Sequence, residues 1–241
     1  MGLSESDLGL SIIGEYTLKH EMNMIDLFRI PIFEFKFKEH EAYKQYLIDN
    51  VNDVGLIQKP KNTFLITGPN LHKKKAFDPL RVFFLECLYQ ALRECNLNVD
   101  IGITSMWATK HQKDDFHHSH THGNSFFVGV YYLDSDSEEP SGTEFHNVIA
   151  DFYSFHRIRS PSNNTSVSTS FNYASIVPFE PGKLIIFPGW LRHTTPKNKG
   201  ENRYIIGFNT MPIGLTNTDH YDRYDYADFR NSYLAGDDKY D

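Results

Sequence analysis

The chain has 241 residues, a formal net charge of −7, 19 phenylalanines and 14 tyrosines. This length suits one good core, the acidic balance gives no general basic footprint for nucleic acid or anionic membrane, and no apolar run approaches the roughly 20 residues of a membrane span. Two cysteines, Cys87 and Cys95, form neither a disulfide framework nor a zinc ribbon, and the N-terminus shows no basic region followed by an apolar run, so a cytoplasmic setting is expected.

In chain order, a short helix is expected around Met22–Phe28. Ile30–Phe37 alternates apolar and polar residues and predicts a strand. Glu39–Val54 carries Tyr43, Tyr46, Leu47 and Val51 at helical spacing. Asp78-Pro79 predicts a helix start, with Asp as N-cap, running to about Asn96. From Asp100 the character changes to short β-rich runs at 101–109, 125–133, 143–149, 151–158, 166–177, 183–188 and 202–211, separated by Pro, Gly and Asn turns. Closely spaced strands imply a barrel or sandwich. The expected organisation is a single domain, mainly β. In it, residues 1–99 pack as strand and helices on the core, 100–212 form that core, and 213–241 are a polar tail rich in Asp and Tyr.

Five of the twelve histidines fall between positions 111 and 122, four of them within Asp115-Phe-His-His-Ser-His-Thr-His122. Metal ligation needs neutral imidazoles or carboxylates converging on one point. In a regular strand His118, His120 and His122 share a face, but residues four apart are about 13 Å apart and do not reach one ion without a bend. The workable pairs are His118/His120 and His120/His122, and His120 belongs to both. A distant ligand is available in Gly182–His193, a turn and buried strand ending in histidine. Asn202–Asn209 follows, and a hairpin is expected to bring His193 beside Arg203. Period two puts Arg203, Ile205, Gly207 and Asn209 on one face. If that face is interior, Arg203 is a buried cation that calls for an anion, and its planar guanidinium suits bidentate capture of a small carboxylate.

His120-x-His122 before a Tyr-Tyr-Leu strand, the turn and strand Ser141-Gly142-Thr-Glu-Phe145, and Phe187-Pro-Gly-Trp-Leu-x-His193 followed by Arg203 and Phe208-Asn209 together resemble the 2-oxoglutarate- and Fe(II)-dependent oxygenases, in a branch found in marine bacteria and their phages. The resemblance covers about 100–212. It implies a double-stranded β-helix (jelly-roll, cupin-like) core with flanking N-terminal helices. His120 and His193 are then iron ligands, and His122 stands where the family usually has a carboxylate. Arg203 is implied as the clamp on the far carboxylate of 2-oxoglutarate, with Tyr131, Asn124 and Asn209 as cosubstrate or neighbouring contacts. Strand parity alone does not separate Tyr131 from Tyr132. His117 and His118 become rim residues, with His118 the alternative to His122 as ligand. Ile205 is a second departure, since many relatives carry a hydroxyl residue two after the arginine.

The implied activity is a non-haem dioxygenase that hydroxylates an unidentified small-molecule or peptide-like substrate and releases succinate and CO2. No nucleic-acid or membrane partner is expected, and self-association is left open. The rivals are a cupin-like three-histidine metal enzyme that does not use 2-oxoglutarate and a non-catalytic jelly-roll binding or phage structural module.

Overall fold

The computed structural model describes residues 29–148 and 173–213, together with the backbone of two short strands at 215–216 and 224–225. The chain divides into two units, residues 1–30 and 31–241, and every element below belongs to the second. The helix expected at 22–28, the strand expected at 151–158 and most of the C-terminal tail lie outside the described residues.

Strand β1 (Phe33–Lys36) leads into helix α1 (His40–Val54), then come short strands β2 (Ile57–Gln58) and β3 (Leu65–Ile66) and helix α2 (Asp78–Glu94). Asp78, expected as the N-cap of α2, is instead its first helical residue (φ −55°, ψ −42°). A 3-10 turn at Lys75–Phe77 runs straight into the helix, so Phe77 takes the cap position and Asp78 pairs with Arg81 at 2.9 Å. The β region follows as β4 (Asp100–His111), β5 (His117–His120), β6 (Phe127–Ser135), β7 (Thr143–His146), β8 (Ala174–Val177), β9 (Lys183–Pro188), β10 (His193–Thr195), β11 (Arg203–Ile213), β12 (Leu215–Thr216) and β13 (Tyr224–Asp225).

A seven-stranded sheet runs β1-β9-β6-β11-β4-β3-β2 and a four-stranded sheet runs β5-β10-β7-β8, with antiparallel pairing throughout. This is the expected mainly-β, two-sheet jelly-roll with helices outside it. The central strands are apolar on both faces because both faces are covered. Leu184, Ile186, Tyr204, Ile206 and Phe208 face α1 and α2, whereas Ile185, Phe187 and Ile205 face the smaller sheet and meet Phe145 of β7. The two apolar layers meet across the strands, and the smaller one forms the floor of a histidine-lined cavity.

The hairpin expected to join His193 to Arg203 is absent. β10 pairs with β5 and β7 in the smaller sheet, and β11 pairs with β4 and β6 in the larger. The connection therefore crosses from one sheet to the other, and the two residues approach the cavity from opposite layers.

Candidate metal centre

His120 closes β5 and His193 opens β10, and the antiparallel register sets them directly opposite each other. His122 lies past the end of β5. Its backbone N–H donates to the Gly189 carbonyl at 2.8 Å and its own carbonyl accepts from Ser125 N–H at 3.1 Å, a turn that swings its ring back over the pair. The ring centroids lie 4.3 Å (His120–His193), 5.0 Å (His120–His122) and 5.2 Å (His122–His193) apart. One ligand nitrogen from each of the three falls within 4.8 Å of the others.

All three rings are oriented alike. His120 Nδ1 bonds the His118 carbonyl at 2.7 Å, His193 Nδ1 bonds the Leu191 carbonyl at 2.9 Å, and His122 Nδ1 bonds Asn209 Oδ1 at 2.8 Å. Each partner is an oxygen with no proton to give, so each Nδ1 carries the hydrogen and each Nε2 keeps its lone pair. Burial pushes His193 down to about 3 and His122 to about 4, and lowers His120 as well, so all three are neutral near pH 7. Three converging neutral imidazoles, each held through its other nitrogen, are a fitting donor set for a first-row divalent metal.

The cavity walls also include Trp107, Thr109, His111, His117, Thr143 and Thr195, and among the described residues no acidic side chain lines it. Trp107 lies over Gly207, where a Cβ would come within 2.8 Å of the indole, and its ring runs nearly parallel to that of His122. Arg203 is fully buried, and its guanidinium carbon lies 5.5 Å from the Phe179 ring centroid. Among the described residues, its Nε, Nη1 and Nη2 are buried without hydrogen-bond partners. It lies among the buried groups around the cavity but is not part of the cavity lining. Burial lowers it to about 10, so it remains a cation at neutral pH. An unpaired buried guanidinium fits an anionic cosubstrate.

Several site expectations change. Tyr131 points away from the cavity into the helix-facing core, with its hydroxyl 2.7 Å from His40 Nδ1. Its neighbour Tyr132 is the inward tyrosine, donating to Thr143 Oγ1 at 2.8 Å. Asn124 is exposed in the turn after His122 and does not line the cavity. Asn209 is near the site, but it holds His122. His117 is not a rim residue. It lines the cavity, stacked on His120 with centroids 4.0 Å apart. The cause is a bulge: His193 faces His120 and Thr195 faces His117, so three steps along β5 match two along β10. Regular alternation is lost there, and His118 no longer shares the face of His120. Outside the sequence-predicted set, β4 adds Trp107, Thr109 and His111 to the cavity, and their period-two spacing is the same signal that marks β11.

The jelly-roll thus brings together three histidines whose ligand nitrogens could hold one metal ion. Residues 105–209 match the model of the family described as "Putative 2OG-Fe(II) oxygenase". The solved structures similar to this chain include a viral collagen prolyl hydroxylase from Paramecium bursaria Chlorella virus-1 in complex with 2-oxoglutarate (12% identity, 74% of this chain and 94% of that one, TM-score 0.52). They also include a prolyl-4-hydroxylase from Pseudomonas putida (9% identity, 75% and 92%, TM-score 0.52). A third is HygX from Streptomyces hygroscopicus with nickel and 2-oxoglutarate bound (13% identity, 76% and 83%, TM-score 0.54). No curated protein matches in sequence. Over residues 105–209 the chain is thus similar to the 2-oxoglutarate- and Fe(II)-dependent oxygenases, and it shares the fold of their solved members. Among the described residues, no helix is long and apolar enough to cross a membrane.

Proposed function

We propose that the protein is an Fe(II)- and 2-oxoglutarate-dependent hydroxylase whose iron is held by His120, His122 and His193, with Arg203 binding the far carboxylate of the cosubstrate. The observation that carries this reading is the pairing of three Nε2 lone pairs with a buried, unpartnered guanidinium ten residues after His193. Iron, when bound, supplies the redox chemistry that couples oxygen use to conversion of 2-oxoglutarate into succinate and CO2. The chain's own residues position and shield. Asn209 and the carbonyls of His118 and Leu191 fix the three rings, Trp107 covers one flank, and Phe187 and Phe145 keep water from below His193.

The prime substrate is of small-molecule or peptide-like class. Phe126 and Trp190 are exposed beside the backbone that carries His122, since Gly189 bonds both Phe126 and His122. This gives the mouth an apolar rim on which a ligand can rest. Among the similar structures, HygX is known with hygromycin B bound and a Trichoplax adhaerens prolyl hydroxylase with a peptide fragment. Cys87 and Cys95, both unpaired, suit a reducing cytoplasm.

Anaerobic addition of 2-oxoglutarate to the Fe(II) protein is expected to produce a metal-to-ligand charge-transfer band. Arg203→Ala is expected to weaken that titration strongly while metal binding persists, and His193→Ala to abolish both metal binding and succinate formation. Cosubstrate affinity left intact in Arg203→Ala would refute the role of Arg203. Absence of the band in the wild-type protein would favour a three-histidine enzyme that works without 2-oxoglutarate.

A further inference from the structure

β11 and β4 are adjacent and antiparallel, with Arg203 opposite His111. Cross-strand partners hold their Cβ atoms about 5 Å apart on the same face, so the imidazole and the guanidinium are neighbours. His111 is 1% exposed, and its ring is fixed by stacking on Phe64, centroids 4.6 Å apart and planes 12° off parallel. Its Nδ1, like the three nitrogens of Arg203, is buried without a partner. Four unbonded buried nitrogens thus share one cross-strand pair. Leaving any buried donor unpaired is unfavourable, and a carboxylate, with about four lone-pair sites, accepts from several donors at once. Burial pushes His111 down to about 2, so the ring is neutral, and in the tautomer with its hydrogen on Nδ1 it has one N–H to give.

We infer that His111 is a second binding residue for the distal carboxylate of the cosubstrate, donating a hydrogen bond beside the Arg203 fork. Ile205, two positions after Arg203 on the same face of β11, has no donor to offer a carboxylate. His111, on the neighbouring strand, supplies the donor that Ile205 lacks. This inference rests on the Arg203 reading above and names the group that completes it.

The test uses full-length protein loaded with Mn(II) and titrated calorimetrically, without oxygen, with two ligands. One is 2-oxoglutarate. The other is 2-oxovalerate, which keeps the keto acid head and carries a methyl in place of the distal carboxylate. His111→Phe, which preserves an aromatic ring against Phe64, is expected to weaken 2-oxoglutarate about tenfold, the usual scale of one hydrogen bond to a charged group. Binding of 2-oxovalerate should not change, which also reports an intact fold and metal site. His111→Asn, which keeps an N–H near the Nδ1 position, should recover most of the 2-oxoglutarate affinity. Unchanged 2-oxoglutarate binding in His111→Phe, or equal weakening of both ligands, overturns the inference. A wild-type protein that does not prefer 2-oxoglutarate over 2-oxovalerate overturns the Arg203 reading and this inference with it.

Discussion

At the scale of single residues, the centre depends on what holds each imidazole. His120 and His193 are oriented by backbone carbonyls two residues upstream, which no side-chain substitution removes. His122 is oriented by Asn209 Oδ1, across two elements of the sandwich. Removing such an outer partner commonly costs about 10- to 100-fold in metal affinity. Asn209→Ala is therefore expected to weaken metal binding by that amount, and Asn209→Asp, which keeps an acceptor, to retain it; competitive titration with a chromophoric chelator measures both. An Asn209→Ala protein that holds metal as tightly as wild type would remove His122 from the ligand set. The convergence of His120, His122 and His193 and the burial of Arg203 were legible in the sequence because motif spacing survives folding. Tyr131 and Asn124 were misassigned for a different reason. Adjacent positions 131 and 132 point to opposite layers, and only the register of β6 against β11, with its irregularity between Tyr204 and Ile205, decides which one faces inward.

At the scale of elements, long and strongly patterned segments were readable: α1, α2, β4, β6, β9 and β11 all fall close to their expected positions. β5 and β10 were not. His-Thr-Thr over 193–195 is too short to show a period, and the bulge opposite it breaks the alternation of β5. What fixes this corner is Asn198 in the connection from β10 to β11. It is almost fully buried, and its amide donates to the carbonyls of His111 (3.1 Å), Gln112 (3.3 Å) and Gly200 (2.7 Å). Its backbone accepts from Asp114 N–H and donates to Asp115. The same residue therefore ties the end of β4, where His111 sits, to the chain entering β11 at Arg203. Asn198→Ala leaves several buried carbonyls short of a donor, so a loss of about 1–3 kcal/mol in stability is expected. Urea unfolding would measure it as a lowered midpoint with unchanged slope.

At the scale of the whole molecule, the two apolar layers keep several histidines in their neutral form. Burial lowers His111 to about 2 and also lowers His40, which sits under α1 against Tyr131. In the unfolded chain these groups take up protons near the ordinary histidine value of about 6.5. The folded state therefore binds fewer protons below that value. The stability this contributes is fully present above about pH 6.5 and is lost as pH falls toward the folded values. The thermal midpoint of the metal-free protein is expected to be flat above about pH 7 and to fall steadily between about pH 6 and 4. His111→Phe should make that fall shallower. An equal fall in wild type and His111→Phe would show that His111 is not held neutral by the fold.

The unpaired guanidinium of Arg203 has one more consequence. A cation carried dry into the interior burdens the folded chain only while its anion is absent, because the unfolded chain leaves that arginine in water. Occupancy therefore feeds back on folding itself, by about 2.7 kcal/mol when a ligand stands at a hundredfold excess over its dissociation constant. On the proposed role of Arg203, the proportion of chain that survives as folded protein would then follow the supply of a small dicarboxylate.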